Sequence, residues 1–342
     1  MKVRLKPLAQ QVVLITGASS GLGLTTARKA ARAGASVMLV SRNEDALKEI
    51  SSSLNEEGFD TAYAVADVAD RAQLEAAAEH AVKRFGRIDT WVNNAGVSIY
   101  GRLDEVPAAD HRRLFETNYW GTVNGSLIAI DHLRDNGGAI INLGSELSDV
   151  VVPLQATYCA SKHAVKGFTD GLRIEIAQAK LPISVTLIKP AGMDTLFVQH
   201  AKNFLDFQPK LPVPVYAPDL GANAILHAAQ TRTRDIYVGG VSKATVEMNR
   251  AAPRLMDFAL RVLGTRIQQS GRLPTDRDHH ALDAPGGMAG YERSGLNGHV
   301  FESSPYTRAS ISPLARWLAG GVAVLGVGMM LANRDKKPPR AS

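Results

Sequence analysis

The sequence predicts an α/β fold, a doubly wound parallel sheet with helices on both faces, followed by a C-terminal linker and a hydrophobic helix. Three observations carry this. Strand-like and helix-like segments alternate from Gln11 to about Gly240. The strand-like runs are apolar throughout, as strands covered on both faces must be. Beyond Gly240 the alternation stops. The strand runs are residues 12–16 (VVLIT), 36–41 (SVMLVS), 61–66 (TAYAVA), 88–94 (IDTWVNN), 139–145 (AIINLGS), 183–189 (ISVTLIK) and 235–239 (DIYVG). Helix-like stretches include 22–34, 43–58 and 71–86, and glycines 34, 58 and 86 fall where those helices should stop. Such a sheet binds ligands beyond the carboxyl ends of its strands, where the winding direction switches. Functional residues are therefore expected just after strand runs.

Composition narrows the class. The chain has 342 residues, 45% apolar and 21% charged, which excludes a wholly disordered or fibrous protein. That length suits one large domain with an appendage. A single cysteine, Cys159, excludes a disulfide framework and a cysteine-based zinc cage, and fits a reducing compartment. Beside a polar partner of interest, Tyr158, it reads as a buried small residue rather than a nucleophile. Nine histidines show no ligand spacing, so no metal site is expected. The net charge is +6, but no long Lys/Arg block points to nucleic acid. Lys2, Arg4 and Lys6 precede an apolar run, 12–15, too short for a signal peptide, which reads as a buried strand.

The first strand runs into Thr16-Gly17-Ala18-Ser19-Ser20-Gly21-Leu22-Gly23. Glycines let backbone approach a pyrophosphate, and the next helix offers free N–H groups. The second strand ends at Ser41-Arg42-Asn43, with a cation where an NAD site usually carries an acid. Arg42 can pair with a 2′-phosphate, which favours NADP over NAD. Asp67 follows the third strand and Asn93-Asn94-Ala95-Gly96 the fourth; either is equally a turn. Ser145 follows the fifth. Thirteen residues on, Tyr158 begins Tyr-Cys-Ala-Ser-Lys, ending at Lys162. Positions i and i+4 share a helix face, so the phenol and the ammonium can enter one cleft. A nearby ammonium favours a phenolate, which makes tyrosine a usable acid–base group. A hydroxyl at Ser145 can hydrogen-bond a carbonyl where charge develops.

With these motifs in order, residues 8–240 resemble the short-chain dehydrogenase/reductase family, in its single-domain TGxxxGxG and YxxxK branch. The resemblance rests on TGASSGLG (16–23), NNAG (93–96), Asn118, Ser145, YCASK (158–162) and KPAGMDT (189–195). It implies a Rossmann-like fold and a carbonyl–alcohol oxidoreductase. It implies Tyr158 as proton donor or acceptor, Lys162 as holder of the nicotinamide ribose, Ser145 as substrate orienter and Asn118 as holder of a relay water. It implies a cofactor set of Gly17, Ser19, Ser20, Gly21, Leu22, Gly23, Arg42, Asp67, Val68, Asn94, Ala95, Gly96, Tyr158, Lys162, Pro190 and Thr195. A homo-oligomer is expected by analogy. One departure is that Pro190 is followed by Ala191 before Gly192, so the loop is expected to bend one residue late. In the family the stretch 193–216 covers the substrate. Its apolar residues, among them Phe197, Phe204, Phe207 and Leu211, fit either a lid over a lipophilic substrate or packing onto the core.

The domain expected over 8–250 is followed by an amphipathic helix at 251–269, with apolar positions Leu255, Phe258, Ala259, Val262 and Leu263. Residues 270–311, rich in Gly, Pro, Asp, Ser and His, read as a flexible linker. Residues 312–333 read as a hydrophobic, membrane-associated helix. Its uncharged core, 317–332, would be about 24 Å long as a helix, slightly short of the hydrocarbon thickness of about 30 Å. The basic tail behind it would end outside the cell in a simple span, against the positive-inside tendency, so an interfacial segment, a helix packed on the catalytic domain and a dimer contact stay open beside a span. The expectation is a cytoplasmic NADP(H)-dependent reductase acting on a lipophilic carbonyl, held at a membrane by its C-terminus. The alternative is a catalytically silent NADP-binding sensor or scaffold at a membrane.

Overall fold

The computed structural model describes residues 3–274, 280–295 and 298–312. In chain order the elements are β1 (Val12–Thr16), α1 (Gly21–Arg32), β2 (Ser36–Ser41), α2 (Glu44–Glu56), β3 (Thr61–Val65), α3 (Arg71–Phe85), β4 (Thr90–Asn93), the short β5 (Ile99–Tyr100), α4 (Ala108–Phe115), a π-helical turn (Glu116–Trp120), α5 (Gly121–Leu133), β6 (Gly138–Leu143), a 3₁₀ turn (Glu146–Ser148), α6 (Ala156–Gln178), β7 (Ile183–Pro190), β8 (Lys202–Asn203), β9 (Val215–Tyr216), α7 (Pro218–Gln230), β10 (Asp235–Val238), α8 (Gly240–Ala251), α9 (Pro253–Gln268), β11 (Val300–Phe301) and α10 (Pro305–Ser310). The seven expected strand runs form one parallel sheet, in the order β3-β2-β1-β4-β6-β7-β10. The winding reverses between β1 and β4, and that reversal opens the crevice in which the site lies.

Period-two alternation divides the core. Val13 and Ile15 of β1 pack with Leu24 of α1, Leu47 of α2 and Ile225 of α7. Leu14, between them, packs on the other face with Leu74 of α3, Ile128 of α5 and Leu172 of α6. Helix ends follow local chemistry. The Asn43 side chain accepts from Ala46 N–H at the start of α2, and Asp70 accepts from Ala72 and Gln73 N–H at the start of α3. All three glycines expected to stop helices, 34, 58 and 86, adopt positive φ.

A buried polar chain fixes the helices behind the crevice. Trp91 Nε1 donates to Asn93 Oδ1 (2.8 Å), Asn93 Nδ2 to Asn142 Oδ1 (2.8 Å), and Asn142 Nδ2 to Thr169 Oγ1 (3.0 Å). It joins β4 to β6 and β6 to α6 in the buried interior, where each amide needs its partner.

The region expected as a flexible linker is different. Residues 280–295 lie as a strap across the carboxyl edge of the sheet. Arg42 donates to the carbonyls of Ala281, Leu282 and Ala284, and Arg113 Nε to Leu282 O (3.1 Å). Gly290 N–H donates to Ser19 O and Gly21 N–H to Tyr291 O, both at 2.8 Å. Leu282 is fully buried beside Tyr158. Further on, β11 pairs in parallel with β9, and Thr307 Oγ1 accepts from Gly239 N–H (2.8 Å). The strap is held by main-chain groups and two arginines, so its polar composition concealed its order.

The amphipathic helix is found as α9. Met256, Gly264 and Gln268 are its buried residues, while Leu255, Phe258, Val262 and Leu263 face outward. The hydrophobic helix expected at 312–333 lies, from 313 on, outside the described residues. Among the described residues no helix is long and apolar enough to cross a membrane.

Two outcomes follow. Asn142→Leu removes one of the acceptors of the Asn93 amide and the donor to Thr169 Oγ1, and is expected to cost about 1–3 kcal/mol, read as a lowered urea midpoint. Arg42→Ala is expected to speed amide hydrogen exchange at Ala281 and Gly290 while leaving the β4 and β6 amides unchanged.

Candidate functional site

Strand β1 ends in Thr16, whose hydroxyl accepts from Asn94 and Ala95 N–H (3.0 and 3.1 Å). This draws the loop after β4 against the glycine turn. Asn94 Nδ2 tightens the contact by donating to the carbonyls of Thr16 and Gly17 (2.9 and 3.2 Å). The approach is so close that a Cβ on Gly17 would meet Ala95 Cα at 2.8 Å, and one on Gly23 would meet Gly17 O at 2.1 Å. Bare backbone is the only surface that fits. Helix α1 then begins with no side chain capping its N-terminus.

A cavity of about 290 Å³ runs along this edge. Of the sequence-predicted site residues, Gly17, Ser19, Ser20, Gly21, Leu22, Gly23, Arg42, Asp67, Val68, Asn94, Ala95, Gly96, Ser145, Tyr158, Lys162, Pro190 and Thr195 line it. Asn118 does not. Ala191 and Gly192 line it too, so both stay at the cleft with Ala191 standing directly after Pro190. The strap supplies a further wall through Ala281, Pro285, Gly286, Met288 and Ala289.

Arg42 stands 3.8 Å from Asp67 Oδ2, the same oxygen to which Arg113 donates. Burial and the neighbouring Arg113 hold the Arg42 guanidinium below its usual range, and Asp67 opposes them. No motif points to Arg113, which lies in the last turn of α4 among ordinary charged residues.

At the other end of the cavity, α6 places Tyr158 and Lys162 on one face. Lys162 Nζ donates to Leu143 O, the last residue of β6, at 2.7 Å, and sits 5.7 Å from the Tyr158 ring centre. Burial pushes the Lys162 ammonium down to about 8. Burial also raises the Tyr158 phenol, against a smaller opposite effect of the Ser145 hydroxyl. The ammonium therefore does not by itself deliver a phenolate here, contrary to the expectation from spacing. Ser145 Oγ accepts from Leu147 N–H (3.1 Å) and keeps its own proton for donation. Asn118, fully buried in the π-helical turn, accepts from Val97 N–H (2.8 Å) and donates to Val97 O and Ser161 Oγ (both 3.0 Å). It clamps the loop after β4 to α6, and its main-chain carbonyl accepts from Thr122 Oγ1 (2.8 Å).

The stretch 193–216 divides between both expected roles. Phe197 packs edge-on against Tyr158 with ring centres 5.3 Å apart, and Leu196 and Leu211 line the cavity. Phe204 and Phe207 instead pack against core clusters. Cys159 is buried and its thiol is pushed up to about 11, which makes it inert. Glu146, Gln155 and His200 also line the cavity without having been singled out by any motif. Among the described residues no cluster could hold a metal ion.

Comparison with known proteins agrees with this architecture. The family model for short chain dehydrogenases matches residues 11–205. An uncharacterised oxidoreductase of Bacillus subtilis strain 168, YxnA, is 42% identical over 328 residues, 94% of this chain and 92% of that protein, a span that takes in the strap. A solved short-chain dehydrogenase/reductase from Burkholderia phymatum in complex with NAD is 25% identical with a TM-score of 0.62, covering 80% of this chain and 99% of that one. A gluconate 5-dehydrogenase from Burkholderia cenocepacia J2315 in complex with NADP and tartrate is 27% identical with a TM-score of 0.60, covering 71% and 98%. The sheet, the glycine turn and the matched family model together make this chain a member of the short-chain dehydrogenase/reductase family of oxidoreductases.

Proposed function

We propose that the chain interconverts a carbonyl and a secondary alcohol on a lipophilic substrate, with NADP(H) in preference to NAD(H). The observation that carries this reading is that Ser145, Tyr158 and Lys162 line the same cavity as the glycine turn. The bare backbone at Gly17 and Gly23 and the uncapped start of α1 fit a dinucleotide pyrophosphate. Ser19, Ser20, Gly21, Leu22 and Gly23 would hold that group, and Asp67, Val68, Asn94, Ala95 and Gly96 would bound the adenosine. Pro190 and Thr195 would bound the nicotinamide. The solved relatives with NAD and with NADP support a nicotinamide cofactor. Arg42 supports NADP, because a 2′-phosphate needs a cation and the strap carbonyls already orient this one.

The bound nicotinamide supplies or accepts the hydride. The chain's own residues handle the proton. Tyr158 Oη holds the proton that passes to the carbonyl oxygen, and takes it back in oxidation. Ser145 donates a hydrogen bond to the same oxygen and stabilises its growing charge. Lys162 keeps a positive charge near the phenol, and Asn118 holds the loop that frames it. Leu196, Phe197 and Leu211 exclude water and support the lipophilic substrate class. The family analogy also supports a homo-oligomer.

The test is oxidation of NADPH and NADH by the full-length protein over a panel of ketones, quinones, steroids and long-chain 3-keto lipids. Turnover is expected with NADPH on a lipophilic carbonyl, and Tyr158→Phe is expected to lower kcat by about 10²–10⁴-fold. Tight NADPH binding without turnover in either direction would overturn the reading. Arg42→Ala is expected to raise KM for NADPH about tenfold or more while changing KM for NADH little. Because burial lowers the Lys162 ammonium to about 8, its charge is present below that pH and lost above it. Reduction is therefore expected to weaken as pH rises through about 8, measured as a kcat/KM profile.

A further inference from the structure

The proton-transfer scheme leaves one carboxyl in the cavity wall without a task. Glu146 is the first residue of the 3₁₀ turn that follows Ser145, and it lines the same cavity as Ser145 and Tyr158. Its main-chain carbonyl is engaged by Asp149 and Val150 N–H. Its side chain forms no hydrogen bond or ion pair among the described residues. Leu147, Val152, Leu196, Phe197 and Leu211 line the same cavity, with Gln155 and His200 among its polar residues. It is partly buried and lines the cavity, and burial within the protein pushes its acid up to about 7.

The other acid of the same turn makes the contrast. Asp149 accepts from Lys189 Nζ (2.7 Å) and Tyr237 Oη (3.2 Å), with Lys166 and Arg250 at 3.8 and 3.7 Å. At the opposite end, Ser145 and Ser148 form a reciprocal capping box. The turn is thus fixed to β7 and β10 at one end and closed on itself at the other. A carboxyl presented to the cavity on so fixed a backbone, without a protein donor, is free to accept a hydrogen bond from a ligand there.

We propose that Glu146 is a specificity-determining residue that accepts a hydrogen bond from a hydroxyl or ammonium group carried by the substrate apart from its reacting carbonyl. This rests on the carbonyl–alcohol reading above and deepens it. The substrate class becomes a largely apolar hydroxyketone or aminoketone, or the corresponding alcohol, rather than a plain hydrocarbon ketone. An apolar pocket alone distinguishes such molecules weakly, whereas a group that must be satisfied distinguishes them strongly.

The test uses acetophenones that carry hydroxymethyl, aminomethyl or ethyl at the ortho, meta or para ring position, with NADPH as reductant. The wild type is expected to favour the hydroxymethyl or aminomethyl ketone over its ethyl counterpart by about tenfold or more in kcat/KM at one ring position at least. The difference is expected in KM. Glu146→Leu is expected to bring that ratio to about one. Glu146→Gln keeps an acceptor, so it is expected to retain a hydroxymethyl preference and lose an aminomethyl one, which separates the two donors. The proposal is overturned if the wild type reduces the ketones without a preference at any ring position. It is overturned equally if Glu146→Leu retains the wild-type ratio, or lowers kcat on all ketones alike with NADPH binding intact. A wild type that reduces none of them while reducing a carbonyl of the panel above overturns this substrate class, whereas one that binds NADPH and reduces neither set overturns the carbonyl–alcohol reading itself, an outcome distinct from a lost preference.

Discussion

The hydrogen bond from Lys162 Nζ to the carbonyl of Leu143 is the contact on which the site depends. An ammonium buried among apolar side chains needs a partner, and the last carbonyl of β6 is the one in reach. That bond sets α6 against the strand edge. One helical turn earlier on the same face, Tyr158 then enters the cavity, next to the Ser145 hydroxyl that leaves the same strand. The Asn93–Asn142–Thr169 chain repeats the connection deeper in the interior. Two polar ties, one at the edge and one below it, hold the register between β6 and α6. Apolar packing alone would let neighbouring registers compete.

The strap gives the cleft a second wall. It engages the glycine turn through Ser19 and Gly21 and holds Arg42 by carbonyls, so that binding at the crevice and order in the strap act on the same groups. The arginines serve both sides at once: Arg42 and Arg113 flank Asp67 and also hold Leu282 O. Salt bridges from Arg28 to Glu292 and from Lys29 to Asp219 lie along the same edge and are partly exposed, so they add little by themselves. The main-chain bonds and the buried Leu282 hold the strap.

The fold was legible because its signals are local. Apolar strand runs, glycine stops and the capping residues Asn43 and Asp70 each act within a few residues of their effect. The Tyr158–Lys162 pair was legible for the same reason, since the two are separated by one helical turn. What escaped depends on distant partners. Residues 280–295 carry no periodicity, and their order comes from Arg42, about 240 positions away, and from carbonyls that every residue possesses. The state of Tyr158 was misjudged because spacing reveals the ammonium but not the burial that outweighs it. Glu146 gave no motif because an acid after a strand is ordinary until its missing partner is seen.

The most direct measurement follows the hydride itself. NADPH deuterated at C4 would be mixed with a reducible lipophilic ketone and the product examined by mass spectrometry and NMR. The account predicts deuterium on the carbinol carbon, with the hydroxyl proton drawn from solvent and both lost in Tyr158→Phe. Deuterium that stays on the cofactor while NADPH binds tightly, or product formation unchanged in Tyr158→Phe, would contradict it.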